Sequence, residues 1–161
     1  MKAIYLVLFL SLFSNTVSAM SASDDDLRGA LKEAALVITG SVSSIVDLGD
    51  LDPRKFYEHN GLWRGVIIQT DQVLLGNKNA DRVVAVFASS IDVMWYESPK
   101  LVAGQTGIFI FHLDPGAQVL TTIGKWDFQP IGELDRVKRL VADLSRAHAK
   151  QRLARGITHL Q

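Results

Sequence analysis

Chemistry has few places to reside in this sequence. The chain contains no cysteine, so nucleophilic catalysis would fall to serine, threonine or lysine with a base in reach. There is no Gly-x-Ser-x-Gly elbow, and Ser89-Ser90, which follow a strand-like run, occupy a position where serines ordinarily form turns. His59, His112, His148 and His159 are scattered, without the His-x-x-x-His spacing that holds a metal. His112 alternates with Phe111 and Leu113 and shares a strand face with Ile108 and Ile110. It is either a hydrogen-bonded interior histidine or a buried polar group placed for a ligand. Asp92, Glu97 and Asp114 fall in neighbouring loops and would have to face one another across a cleft to hydrolyse a glycoside; solvation is the ordinary role of such carboxylates.

Other acidic clusters read structurally. Asp24, Asp25 and Asp26 are consecutive, so their side chains fan out from a helix axis and suit its positive N-terminal end better than one ion. Asp47, Asp50 and Asp52 surround Gly49 without the alternating spacing or closing glutamate of a calcium loop. These residues predict a protein that is not an enzyme and that carries neither cofactor nor metal.

Binding features are denser. Asp92-Val93-Met94-Trp95-Tyr96-Glu97-Ser98-Pro99 sets two adjacent aromatics between carboxylates in a loop closed by proline. Trp95 and Tyr96 could stack on a sugar or enter a partner's pocket, since such side chains anchor interfaces. The alternative is that Trp95 plugs one end of the fold with Tyr96 over it. A second feature is the basic C-terminal stretch with Arg139, Arg146, Lys150, Arg152 and Arg155. It could dock on an anionic polymer or an acidic groove, or be a solvated face whose cations complement the negative end of a helix.

The elements that must position these residues follow from periodicity. Ser23 and Asp24 are candidate caps of a short helix running to about Ala35. Leu36 to Val46 is β-branched with Gly40 inside, a strand with a bulge or bend there. Trp63 to Gly76 reads as one long strand bent near Thr70-Asp71, and Arg82 to Ala88 and Gly107 to Leu113 as strands apolar on both faces. Asp114-Pro115-Gly116 is a turn, and Gln118 to Ile123 a fifth strand. From Ile131 the period changes to 3.6, with Leu134, Val137, Val141, Leu144 and His148 on one stripe of an amphipathic helix.

Five strands after a short helix predict a mainly β protein, a small five-stranded OB-like barrel over residues 20–130, with the helix of residues 131–161 packed on it. Closure gives each strand an inner face, and a covering helix explains apolar outer faces, so Arg82 to Ala88 and Gly107 to Leu113 are both expected beneath the C-terminal helix.

The order of Ala35 to Val42, then Val73-Leu74-Leu75-Gly76, then Val83 to Phe87, then Gly104 to Phe111 resembles the bacterial secreted OB-fold domains related to tissue inhibitors of metalloproteinases and netrin modules. In those domains V-x-G-x-V, V-L-x-G and G-x-x-x-x-F strands recur in that order, and the likeness covers residues 34 to 123. The resemblance implies a barrel with a binding role. The animal inhibitors place an N-terminal cysteine on the protease zinc, and this chain has none.

The first nineteen residues read as a leader. Lys2 precedes the apolar run Ala3 to Phe13, too short to span a bilayer, and Val17-Ser18-Ala19 suits cleavage before Met20. The expectation is a secreted or periplasmic protein without a transmembrane segment, and without the cysteine that a lipid anchor needs. Loss of Lys2 from the 17 basic residues leaves 16 against 17 acidic, a net charge of −1. That balance gives no general attraction for nucleic acid or anionic membrane. The sequence thus predicts a binding module for another envelope or secreted protein, with a glycan as the alternative ligand through Trp95 and Tyr96.

Overall fold

The computed structural model describes residues 22–48, 62–77, 79 and 81–157, with the backbone alone from 152 onward. The expected leader, Asp50, Asp52, His59, His159 and the side chains of Arg152 and Arg155 lie outside the described residues.

Helix α1 (Asp24–Lys32) starts where Ser23 and Asp26 cap one another. The Asp26 amide donates to Ser23 Oγ at 3.1 Å and the Ser23 amide donates to Asp26 Oδ2 at 3.1 Å, which satisfies two donors that a helix end would leave orphaned. It stops short of Ala35 because the Ala35 amide already donates to the Phe111 carbonyl at 2.8 Å, committing that residue to the sheet.

Six strands follow: β1 (Leu36–Asp47), β2 (Trp63–Leu75), β3 (Arg82–Ala88), β4 (Thr106–Leu113), β5 (Leu120–Thr121) and β6 (Phe128–Gln129). Strands β1, β2, β3, β5 and β4 pair in that order, and β4 pairs back to β1, closing a five-stranded OB-like barrel. All pairings are antiparallel except β3 with β5, which meet at Val86 and Thr121. Such a small barrel needs its long strands to bend. The β1–β2 register therefore shifts in three places, one of them between Thr39 and Gly40, where Asp71 is the unpaired extra residue opposite.

Inside the barrel, Ile38, Val42, Val66, Ile68, Phe87, Phe109 and Phe111 form the main core. Outside it, Val37, Ile108 and Ile110 are covered by Leu27 and Leu31 of α1 and by Val137, Leu140 and Val141 of the C-terminal helix α2 (Leu134–Ile157). Each of these buried aliphatic side chains contributes about 1.5–3 kcal/mol relative to exposure. Arg136 ties the two helices together, donating to Asp24 and to the Ala22 carbonyl, each at 2.7 Å, and to Glu133 at 3.2 Å.

Three expectations change. The outer face of β3 is not under α2: Val84 is exposed, and Val86 and Ala88 pack with Trp63 and Trp95 in a separate cluster. The helices cover the outer faces of β1 and β4 and the end of β2, and the β3–β4 loop folds back to cover β3. The fifth strand is shorter than Gln118 to Ile123. Gln118 still belongs to the turn, with positive φ and its amide donating to the Asp114 carbonyl, while the Ile123 amide is drawn off the sheet by the Asp127 carboxylate. The outer strand β6 is an addition, too short to leave a periodic signal. It reaches β4 because residue 107 is glycine: a Cβ there would stand 2.5 Å from the Phe128 ring.

Among the described residues, no helix is long and apolar enough to cross a membrane.

Candidate binding surface

The connection from β3 to β4, residues 89–105, contains the aromatic pair singled out above. Its backbone is tied at several points. Ser89 donates twice to the Leu62 carbonyl, from its amide and from Oγ, each at 2.7 Å. The Asp92 amide donates to Ser90 Oγ at 3.0 Å, and the Asp92 carboxylate accepts from the Met94 amide at 3.0 Å. The Trp95 amide donates to the Asp92 carbonyl and the Ser98 amide to the Trp95 carbonyl. These are the local side-chain and turn bonds that serine and aspartate favour.

Longer-range ties hold the loop against the barrel. Ser98 is buried and donates to the Ile123 carbonyl at 2.6 Å. Lys100 Nζ donates to the carbonyls of Ala88, at 2.9 Å, and Trp95, at 2.5 Å, so one ammonium joins the end of β3 to the middle of the loop. Partial burial pushes its pKa down. Glu97 pairs with Lys125 at 2.6 Å. Trp95 itself turns inward, 8% exposed, with its ring edge-to-face on Trp63 and both against Val86 and Ala88.

What this scaffold presents is apolar. Ile91 is 84% exposed, Val93 88% and Tyr96 73%, with Met94 and the neighbouring Leu62 also exposed. Single exposed apolar side chains are ordinary, but a group of them on a braced loop is a candidate interaction surface. The two aromatics are split between roles: Trp95 is the anchor and Tyr96 the outward face. They do not form a two-ring platform.

Most of the remaining sequence candidates lie in structural bonds. His112 Nδ1 donates to the Glu33 carbonyl at 3.1 Å, and Nε2 is hydrogen-bonded to Asp127 Oδ1 at 2.9 Å. Asp127 is 1% exposed, and its other oxygen accepts from the amides of Ile123 and Gly124. The Glu33 carbonyl can only accept, so Nδ1 carries hydrogen, and the bond to Asp127 raises the histidine pKa above its usual value despite partial burial. Asp114 accepts from the amides of Gly116 and Ala117 and forms the turn. Asp47 pairs with Arg64 at 2.9 Å. Of the basic helix, Arg146 pairs with Asp143 at 2.5 Å, while Arg139 and Lys150 are exposed. Among the described residues, no group of three or more His, Asp or Glu comes together as a metal site.

Sequence reasoning named the Asp92 to Pro99 stretch and gave roles to Asp92, Trp95, Tyr96 and Glu97, but it gave none to Val93 and Met94 and left out Ile91 and Lys100. The signal available was a cluster of apolar residues between two serines and a proline, following neither strand nor helix period. No known protein-family profile matches this chain, and no curated protein matches it in sequence.

Proposed function

We propose that the protein is a non-enzymatic binding module, secreted or periplasmic, that recognises another protein through the β3–β4 loop. The observation that carries this reading is the contrast within that loop. Its backbone is tied by Ser89, Asp92, Ser98 and Lys100, yet Ile91, Val93, Met94 and Tyr96 face solvent. A preordered loop loses little conformational freedom on association, and apolar and tyrosine side chains supply the buried centre of an interface. The resemblance to secreted OB-fold modules that bind proteins supports the same reading, as does the leader-like start of the sequence.

Site-specific photocrosslinking in the source cells tests it. A benzoylphenylalanine at position 93 is expected to capture one polypeptide that the same group at position 116, on the Asp114-Pro115-Gly116 turn, does not. Equal products from the two positions, or none at position 93, would overturn the reading.

A further inference from the structure

A second surface lies between the two helices. Two adjoining depressions, of about 500 and about 220 Å³, share Lys32, Leu144 and His148. Their apolar lining is Leu31 from the last turn of α1, Ala34 just beyond it, Leu75 from the end of β2, and Leu144 and Ala147 from α2. Beyond Leu144, helix α2 runs clear of the barrel, and residues 145–151 are all exposed. The groove is therefore bordered by a free stretch of helix on one side and the end of α1 on the other.

Its rim carries uncompensated charge. On the same helices Arg28 pairs with Asp25, Arg136 with Asp24 and Glu133, and Arg146 with Asp143, whereas Lys138 and Arg139 make no ion pair among the described residues. Lys32 and Lys150, which flank the groove, make no ion pair among the described residues, and His148 between them makes no hydrogen bond there. An apolar floor with unmatched cations along its border is complementary to an amphipathic segment with carboxylates beside its apolar stripe. The larger depression lies open to solvent, whereas a small molecule is held by burial of most of its surface. That openness disfavours a compact small molecule as the occupant.

We propose that the α1–α2 groove docks an acidic amphipathic helix of a partner protein, with the apolar stripe of that helix on Leu31, Ala34, Leu75 and Leu144 and its carboxylates at Lys32 and Lys150. This surface belongs to a different packing cluster from the β3–β4 loop, so its occupancy does not depend on the reading of that loop.

Fluorescence anisotropy on the full chain, with labelled synthetic amphipathic helices of leucine with glutamate, with glutamine or with lysine, tests this directly. The glutamate peptide is expected to bind at least about tenfold more tightly than the other two. Both lysines are exposed, so the double variant Lys32→Glu, Lys150→Glu keeps the fold; it is expected to reverse the order and prefer the lysine peptide. Amide chemical shifts on peptide addition are expected to move at Ala34, Leu144 and Ala147. Indifference to peptide charge, an unchanged order in the double variant, or shifts confined to other residues would overturn the proposal. So would binding of dodecanoate at this groove with no binding of any peptide, which would assign it to a single-chain amphiphile.

Discussion

The ring of Trp95 stands edge-to-face on that of Trp63, with centroids 5.0 Å apart and planes at 70°. This contact converts the β3–β4 connection from a passing loop into a cover for β3. It also dictates what the loop can display, because anchoring Trp95 inward turns its neighbours Met94 and Tyr96 outward.

Truncation at the anchor and at the tip should therefore differ. Trp95→Ala is expected to cost about 3–5 kcal/mol, the usual range for emptying a buried aromatic site. Tyr96→Ala and Val93→Ala are expected to change stability by about 0.5 kcal/mol or less. Urea denaturation followed by far-ultraviolet circular dichroism distinguishes the two classes. Equal costs would mean that the tip, too, packs on the barrel.

Lys100 should govern the order of the loop. Lys100→Met keeps the aliphatic stem but removes the donor shared by the Ala88 and Trp95 carbonyls. Stability is expected to fall by about 1 kcal/mol, and amide hydrogen exchange to accelerate at Trp95 and Ser98 more than at β1 or β4. Exchange that is unchanged in the loop would show that the remaining turn bonds suffice.

His112 gives the fold a pH dependence with a defined sign. Its folded pKa is raised, chiefly by the bond to Asp127, above the value of 6.5 for the free side chain. The imidazolium thus stabilises the native state fully below the unfolded pKa, and that contribution is lost as pH rises through the folded pKa. Denaturation measured from about pH 6 to about pH 9 should show wild type losing stability relative to His112→Gln as pH rises. Parallel profiles would remove His112 as the titrating group.

Much of the barrel was legible because its signals are local. The β-branched run from Leu36, the glycine at residue 40 and the double-faced apolar strand Thr106–Leu113 each declare themselves within a few residues. Leu134, Val137, Val141 and Leu144 likewise mark the covered stripe of α2. What covers an outer face is a question of distance in space. Nothing near Arg82 to Ala88 says that Trp95 rather than α2 closes over Val86. The two-residue strand β6 has no period to read, and its place depends on Gly107 making room for Phe128.

The candidate surface was legible in part for the same reason. Asp92 to Pro99 stood out by composition, but which aromatic faces solvent is decided by the partner at Trp63, far away in sequence. The ties from Lys100 to Ala88 and from Ser98 to Ile123 are also non-local, and no spacing rule foretells them. His112 was correctly placed on the face of Ile108 and Ile110, whereas its partner Asp127 comes from a turn whose sequence carries no such mark.

The most direct test of the central claim is binding to the captured partner in purified form. Titration calorimetry of that polypeptide into the full chain is compared with titration into the Val93→Asp, Tyr96→Ala double variant, whose native fold is verified by its near-ultraviolet tryptophan spectrum. The account predicts saturable binding by wild type and a loss of about 2 kcal/mol or more in the variant, as expected of interface anchors. Equal affinity of the two proteins for the partner would contradict it.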